Sequence, residues 1–332
     1  MSRKDMNTVG IGRKGLNMLK RIEMDKYGPF LALLVLFVVS AFASPYFLRL
    51  RNLTNILRQV SYTGIIGLGM TFVIISGGID LSVGSMLALV GGIGILLLNY
   101  LGGGAGAIIA VFFGAIVVGA AAGATNGFAI TKGRVAPFIV TLGTMSIFRS
   151  LTLFISNAGE FRSHSSLYPS LGMGYFLGLP NPVWIFLLLT ALFHVVLYHT
   201  RFGRYVCAVG SNERVAVYAA IKSTWIKFYT YVIVGATVGI SAVLLSSRLN
   251  SISSTNAGAG YELDAIAAVI IGGTSLSGGS GSIIGTMIGA LILGIVNNML
   301  NMLGVSPYLQ GTVKGIVIIG AVLIQRKGRR LF

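Results

Sequence analysis

Asp80 stands in the stretch SGGIDLSVGS, residues 76–85, where Gly77, Gly78 and Ser82 interrupt two apolar runs. An acid at membrane depth costs roughly 2.5 to 3.5 kcal/mol on insertion scales, so Asp80 needs a partner or a water-lined cavity. Two readings fit these residues. Asp80 with Ser82 can cap a helix entering at Leu81 by accepting from free backbone N–H groups, or the pair can touch a bound solute directly.

A second constellation is YELDAIAAVIIGGTSLSGGSG, residues 261–281. Glu262 and Asp264 open an apolar run too short to span a bilayer, and Gly272, Gly273 and a Ser/Gly stretch close it, the pattern of a half or re-entrant helix. The acids lie where a helix dipole favours negative charge. Two carboxylates also raise acid/base catalysis, but no histidine, nucleophile or metal motif accompanies them, so no catalytic residue is assigned. Asp80 and Asp264 each sit beside Ser/Gly-rich backbone, as in an inverted pair of broken helices, though the shared stretch is short.

The third is TRFGRYVCAVGSNERVAVYAAIK, residues 200–222, polar and basic. Asn212 can cap a short helix starting at Glu213, with Ala216, Ala219 and Ala220 as its small face. Such a helix can seat in a groove on a partner, or the stretch is an ordinary basic loop.

Elsewhere Thr125, Asn126, Thr141, Thr144, Asn297, Asn298 and Asn301 put polar groups at helix depth. Interhelical hydrogen bonds of about 0.6 kcal/mol explain many such residues. A path for a polyhydroxylated solute would need the same groups, and Asp80, Ser82, Asn126, Thr141, Asn297 and Asn298 are its candidates. Arg149 is expected to snorkel from one end of its span, and His194 and His199 to lie at the interface. Cys207 is the single cysteine, so neither a disulfide within the chain nor a metal cluster is expected. No GxxxxGK[ST] motif is present, which leaves no P-loop to cradle nucleotide phosphates.

These residues must be positioned by elements buried in lipid. The 332-residue chain is 55% hydrophobic and 10% charged, with a mean hydropathy of +0.85, against about 25% charged in soluble domains. The net charge of +17 comes from residues between apolar runs rather than from a basic stripe interleaved with aromatics, which points away from nucleic acid. Arg3, Lys4, Arg13, Lys14, Lys20, Arg21 and Lys26 precede the first apolar run, and Arg326, Lys327, Arg329 and Arg330 follow the last. The positive-inside rule then places both termini in the cytoplasm and makes the number of crossings even.

About ten segments follow, starting near Gly28, Tyr62, Leu81, Ala105, Pro137, Pro182, Trp225, Glu262, Ser282 and Tyr308, the first read as an uncleaved span. The organisation is a basic segment 1–27, a transmembrane domain 28–325 and a basic tail 326–332. Within the domain lie an external loop at about 157–181, able to dock an external partner, and a cytoplasmic loop at about 200–224. Phe47–Val60 reads as an external interfacial amphipathic helix, against which Arg49, Arg51 and Arg58 strain the charge rule. Glycines such as Gly114, Gly119, Gly123 and Gly127, or Gly285 and Gly289, suit close helix packing.

SGGIDLSVGS, TRFGRYVCAVGSNE and GYELDAIAAVIIGGTSLSGGSGSIIGT, in this order, make the sequence resemble permease subunits of bacterial ribose-type ABC sugar importers, in the branched-chain amino acid/ribose permease superfamily. The resemblance runs from about Tyr46 to the C-terminus. It implies an all-α polytopic, type II-like importer permease of the bacterial inner membrane, with some helices broken or re-entrant. It also implies a homodimer or a pair of related permeases, cytoplasmic ATPase domains that are separate or fused in tandem, and a periplasmic sugar-binding protein. ATP and Mg would be bound by the ATPase partner and no cofactor by this chain, which would not itself be an enzyme.

In that family the loop after TRFGR couples to the ATPase through positions that are Gly210, Asn212 and Ala216 here, with Glu213 and Ala220 in the same helix. The family usually has glycine where this chain has Ala220, which implies a stiffer helix exit. Gly77, Gly78, Glu262, Asp264, Gly272 and Gly273 are the candidates for gating. An ion-coupled sugar transporter using Asp80 or Asp264 is the alternative, and pentose, hexose and furanose substrates all remain open.

Overall fold

Apolar runs separated by Gly, Pro and polar breaks fold as helices, because hydrocarbon leaves every backbone N–H and C=O to be satisfied within its own segment. The computed structural model describes residues 28–306, 309–316 and 319–320. The segments 1–27 and 326–332, and Tyr308, lie outside the described residues. In chain order the helices are α1 (Gly28–Ala43), α2 (Leu50–Ile75), α3 (Val83–Tyr100), α4 (Ala105–Thr131), α5 (Pro137–Ser156), α6 (Pro169–Met173), α7 (Asn181–His199), α8 (Arg201–Ser211), α9 (Glu213–Tyr218), α10 (Ser223–Leu249), α11 (Tyr261–Ile271) and α12 (Ile283–Met302). Residues 309–316 form α13. Among the described residues seven helices are long and apolar enough to cross a membrane: α2, α3, α4, α5, α7, α10 and α12. The chain is an all-α polytopic membrane protein.

The expected interfacial helix at Phe47–Val60 is not a separate element. Leu50 to Ile75 is one helix of 26 residues, about 39 Å long at 1.5 Å per residue, longer than a hydrocarbon layer of about 30 Å is thick. Its first turns are packed: Thr54, Ile56, Arg58 and Val60 are buried. Arg58 is only 2% exposed; its Nη1 donates to Asn55 Oδ1 at 3.3 Å and its Nη2 to Met173 O at 3.3 Å. The loop at 157–181 therefore meets the arginine that had strained the charge rule.

Four short strands lie at the end of the bundle where α3, α5 and α10 finish. β1 (Glu160–Arg162) pairs antiparallel with β4 (Ser251–Ser253), and β2 (Tyr175–Phe176) pairs with β3 (Leu179–Pro180). Phe161 and Ile252 face each other across the first ribbon and press on Gly92 and Gly91 of α3. The loop at 157–181 is thus folded against the bundle. Tyr168, fully buried, hydrogen-bonds Ser246 Oγ at 2.6 Å.

The core is built on α2 and α10, with backbone-close packing at α4. A Cβ on Gly119 would strike Gly235 O, one on Gly123 would strike Tyr231 O, and one on Gly239 would strike Ala115 O. Gly127 meets Phe228, whereas Gly114 approaches only Leu97. Gly285 and Gly289 serve α12 in the same way, abutting Gly272 just past α11 and Ala268 within it. Outward faces carry exposed apolar side chains such as Phe113, Val117, Phe138, Phe154 and Leu188, as lipid contact requires.

Candidate functional site

The path candidates separate into distinct places. Asp80, Ser82 and Asn126 come together as a fully buried knot between the α2–α3 break and the last turns of α4. Asp80 Oδ1 accepts from Ser82 N at 2.9 Å and from Ser82 Oγ at 2.6 Å. Asn126 Nδ2 reaches Asp80 Oδ2 at 3.3 Å and Ser82 Oγ at 2.9 Å. Helix α3 begins at Val83, later than expected, and the Ser82 side chain caps nothing because it is turned to the carboxylate. Tyr231 closes the knot from α10 by donating to Ile79 O at 3.1 Å. Asn126 Oδ1 has no partner among the described residues.

The other three path candidates lie elsewhere. Thr141, fully buried on α5, donates to Pro137 O at 2.9 Å. Asn298 exchanges two hydrogen bonds with Asn52 of α2, at 3.1 and 2.8 Å. Asn297 lines a small cavity of about 130 Å³ with Asp264, Gln310 and Lys314, and its Oδ1 has no partner among the described residues. Asp264 is paired there, its Oδ2 3.0 Å from Lys314 Nζ. The two acids singled out by their similar surroundings therefore differ: Asp264 has a cation, and Asp80 has hydroxyl, amide and backbone donors.

Helix α11 has 11 residues, about 16 Å and half a hydrocarbon layer. Glu262 and Asp264 occupy its first turn. Its exit repeats the exit of α2. Gly77 (φ 83°) donates to Ile74 O and Gly78 N to Val73 O; Gly273 (φ 89°) donates to Ile270 O and Thr274 N to Val269 O. This paired 5→2 and 6→1 bonding is the Schellman termination, which needs a left-handed residue just past the cap. Gly78 packs on the Tyr231 hydroxyl, and Gly272 leaves no room for a Cβ against Gly285.

The two breaks and the 200–222 stretch meet at one end of the bundle. Gly279 N donates to Ile75 O at 2.9 Å, and a Cβ on Gly210, near the C-terminus of α8, would strike that same Ile75 oxygen and lie 2.7 Å from Gly279 N. Asn212 caps α9, its Oδ1 accepting from Val215 N at 3.2 Å. Ala216 is buried under the helix, while Val215, Val217 and Tyr218 are exposed, Tyr218 at 89%. Glu213 binds Lys227 of α10 at 2.6 Å. Partial burial pushes the Glu213 carboxyl up, but the hydrogen bond and charge of Lys227, with Ser223, outweigh it and hold the group below the ordinary glutamate range.

Ala220 ends α9 with φ 60°, donating to Val217 O while Ile221 N donates to Ala216 O, both at 3.0 Å. This is again a Schellman exit, with alanine in the left-handed position.

Sequence reasoning missed one role. Arg149 does not snorkel: its Nη1 and Nη2 donate to Ser254 O at 2.8 Å and Ala257 O at 2.9 Å, clamping the turn that leads into α11. The available signal was a lone arginine in an apolar run, which marks a fixed partner at depth as readily as a snorkel.

A bundle of membrane-crossing helices with two broken elements meeting an exposed amphipathic loop is the architecture of a permease. Residues 52–322 match the family described as branched-chain amino acid transport system / permease component, and the chain belongs to that family. It is 47% identical to the ribose import permease protein RbsC of Bacillus subtilis over 93% of this chain and 96% of that one. It is 45% identical to the ribose import permease protein RbsC of Escherichia coli K12 over 90% and 92% of the two chains. The D-allose transport system permease protein AlsC of E. coli K12 is 39% identical over 91% and 92%. No solved structure matches the chain.

Proposed function

We propose that the chain is the transmembrane permease subunit of an ABC importer that carries a monosaccharide across the bacterial inner membrane. The observation that carries this is the end-to-end similarity, with few residues unmatched on either side, to permeases named for ribose and for allose. In both sugars neighbouring secondary hydroxyls lie on one side, and ribose is the substrate at the higher identity.

The work of ATP hydrolysis falls to a separate subunit, which holds ATP and Mg. The exposed ridge of Val215, Val217 and Tyr218 beside the basic residues Arg204, Arg214 and Lys222 supplies a surface for it. Gly210, Asn212, Glu213, Ala216 and Ala220 form that ridge or seat it. A periplasmic binding protein delivers the sugar at the opposite, strand-bearing end. Two permease copies, or two related permeases, complete the pathway, and the ATPase cassettes are separate or fused in tandem. With α9 in the cytoplasm, α1 also starts on that side, since Pro29 and Phe30 line one cavity with His194, Tyr198 and His199 at the end of α7. Both basic termini then lie inside.

The test is ribose uptake into proteoliposomes holding the permease, ATPase and loaded binding protein. Uptake should require ATP and persist when the membrane potential is collapsed. Uptake without the ATPase, or uptake that vanishes with the potential while ATP remains, overturns the reading in favour of an ion-coupled carrier.

A further inference from the structure

A cavity of about 420 Å³ opens between the first turn of α3, one face of α5 and the loop that leads into α11; none of the path candidates read from sequence lines it, whereas Glu262, read as a gating residue, does. Its polar lining is Ser85, Ser146, Arg149, Ser150, Thr255 and Glu262. The volume falls within the roughly 300 to 1,000 Å³ usual for small-molecule sites. Ser146 and Arg149 lie one turn apart on α5, so both project to the same side.

The two charged groups are held apart. Arg149 is fixed by the Ser254 and Ala257 carbonyls, which take two of its five N–H donors. Glu262 sits in the first turn of α11, and residue 84 must be glycine because a Cβ there would meet Gly258 O and approach Glu262 Oε2 to 2.5 Å. No ion pair joins Arg149 to Glu262 among the described residues. A guanidinium held by two carbonyls and the Glu262 carboxylate therefore face one polar space without neutralising each other in contact.

That arrangement selects a chemistry. A carboxylate only accepts hydrogen bonds and a guanidinium only donates them, while serine and threonine do both. An anion gains at Arg149 and loses at Glu262, and a cation the reverse. A neutral polyol satisfies both, because each hydroxyl donates and accepts. Resting on the monosaccharide-permease reading above, we propose that this cavity is the sugar-binding station of the translocation path, with Glu262 accepting from and Arg149 donating to hydroxyls of one monosaccharide.

The test uses the complete transporter in proteoliposomes, with sugar moved and ATP hydrolysed measured together. Glu262→Gln removes the charge while keeping the shape, and Ser146→Val changes an exposed residue whose hydroxyl donates to Leu142 O one turn back at 3.3 Å. Each should lower the sugar moved per ATP about tenfold or more for Glu262→Gln and severalfold for Ser146→Val, as expected for a lost charged or neutral hydrogen bond. ATP hydrolysis stimulated by the loaded binding protein should remain. As a second readout, Ser150→Cys in a Cys207→Ser chain should give a thiol that is shielded from a thiol reagent while sugar is being moved. If wild type moves ribose with ATP but both variants keep its sugar-to-ATP ratio and the cysteine is not shielded, the cavity assignment falls and the permease reading stands. If wild type moves no monosaccharide, the permease reading itself falls.

Discussion

Ala220 is the one Schellman position described above that lacks glycine, and replacing it isolates a backbone effect at the exit of α9. A left-handed conformation costs an L-residue about 1 to 2 kcal/mol. Glycine removes that strain but adds about 0.5 to 1 kcal/mol of backbone entropy to the unlocked segment. The difference leaves Ala220→Gly stabilising the α9 exit by about 0.75 kcal/mol at the centre of these ranges, roughly threefold in its opening equilibrium. The two hydrogen bonds at stake are those from Ala220 N to Val217 O and from Ile221 N to Ala216 O. Hydrogen exchange of these amides in the purified transporter reads the opening directly. Ala220→Gly should slow them about threefold, and Ala220→Val, β-branched at positive φ, should speed them by more than that. If glycine leaves exchange unchanged or faster, the left-handed strain is not what limits this turn and the argument fails.

Three further outcomes follow from other contacts. Gly210→Ala puts a methyl group onto backbone that cannot swing away, Ile75 O and Gly279 N, so the melting temperature in detergent should fall by an amount matching about 1 to 3 kcal/mol; an unchanged melt contradicts the packing. Asn126→Ala removes the amide donor shared by Asp80 and Ser82, at about 1 to 3 kcal/mol, and Asn126→Asp should be worse because a second carboxyl then faces the first. An Asp variant as stable as Ala would refute this order. The Glu213–Lys227 contact stabilises the α9–α10 join above the ordinary glutamate value of about 4.3, and that stability is lost as pH falls through the lower value in the folded protein. Protection of α9 amides should therefore drop in acid in wild type and vary little with pH in Lys227→Met.

The long helices were legible because a run of apolar residues near the length of a bilayer has few other ways to fold, and α4 and α5 start at the residues the pattern indicated. The half helix α11 was legible for the same reason in reverse. The start of α2 was not: Arg49, Arg51 and Arg58 read as an exposed polar face, and only the backbone carbonyl of Met173, 115 residues away in sequence, shows Arg58 buried. Site residues were legible as types but not as partners. Asp80 and Asn126 are 46 residues apart and meet because glycines bring α4 against α10, whose Tyr231 closes the knot. Asn298 had the same credentials and is used up by Asn52. Arg149 needed the 254–257 turn to declare its role.

The contact at Gly210 bears on how one small helix can act on two remote breaks. Ile75 O accepts from Gly279 N, so the end of α2 and the loop after α11 are already tied to each other. Gly210 fills the remaining space against both, with no room even for a methyl group. A rigid shift of α8 by about an ångström must either break that hydrogen bond or carry both segments along, since close-packed backbone offers no intermediate arrangement. One of those segments is Ser76–Ser82, which holds the Asp80 knot; the other is the 272–282 loop, which sets the seat of α11 against α12. The far end of α11 carries Glu262 into the polar cavity, and Asp264, two residues on, meets Lys314. Gly210 of α8 is therefore joined to α11 through backbone contacts with the 272–282 loop.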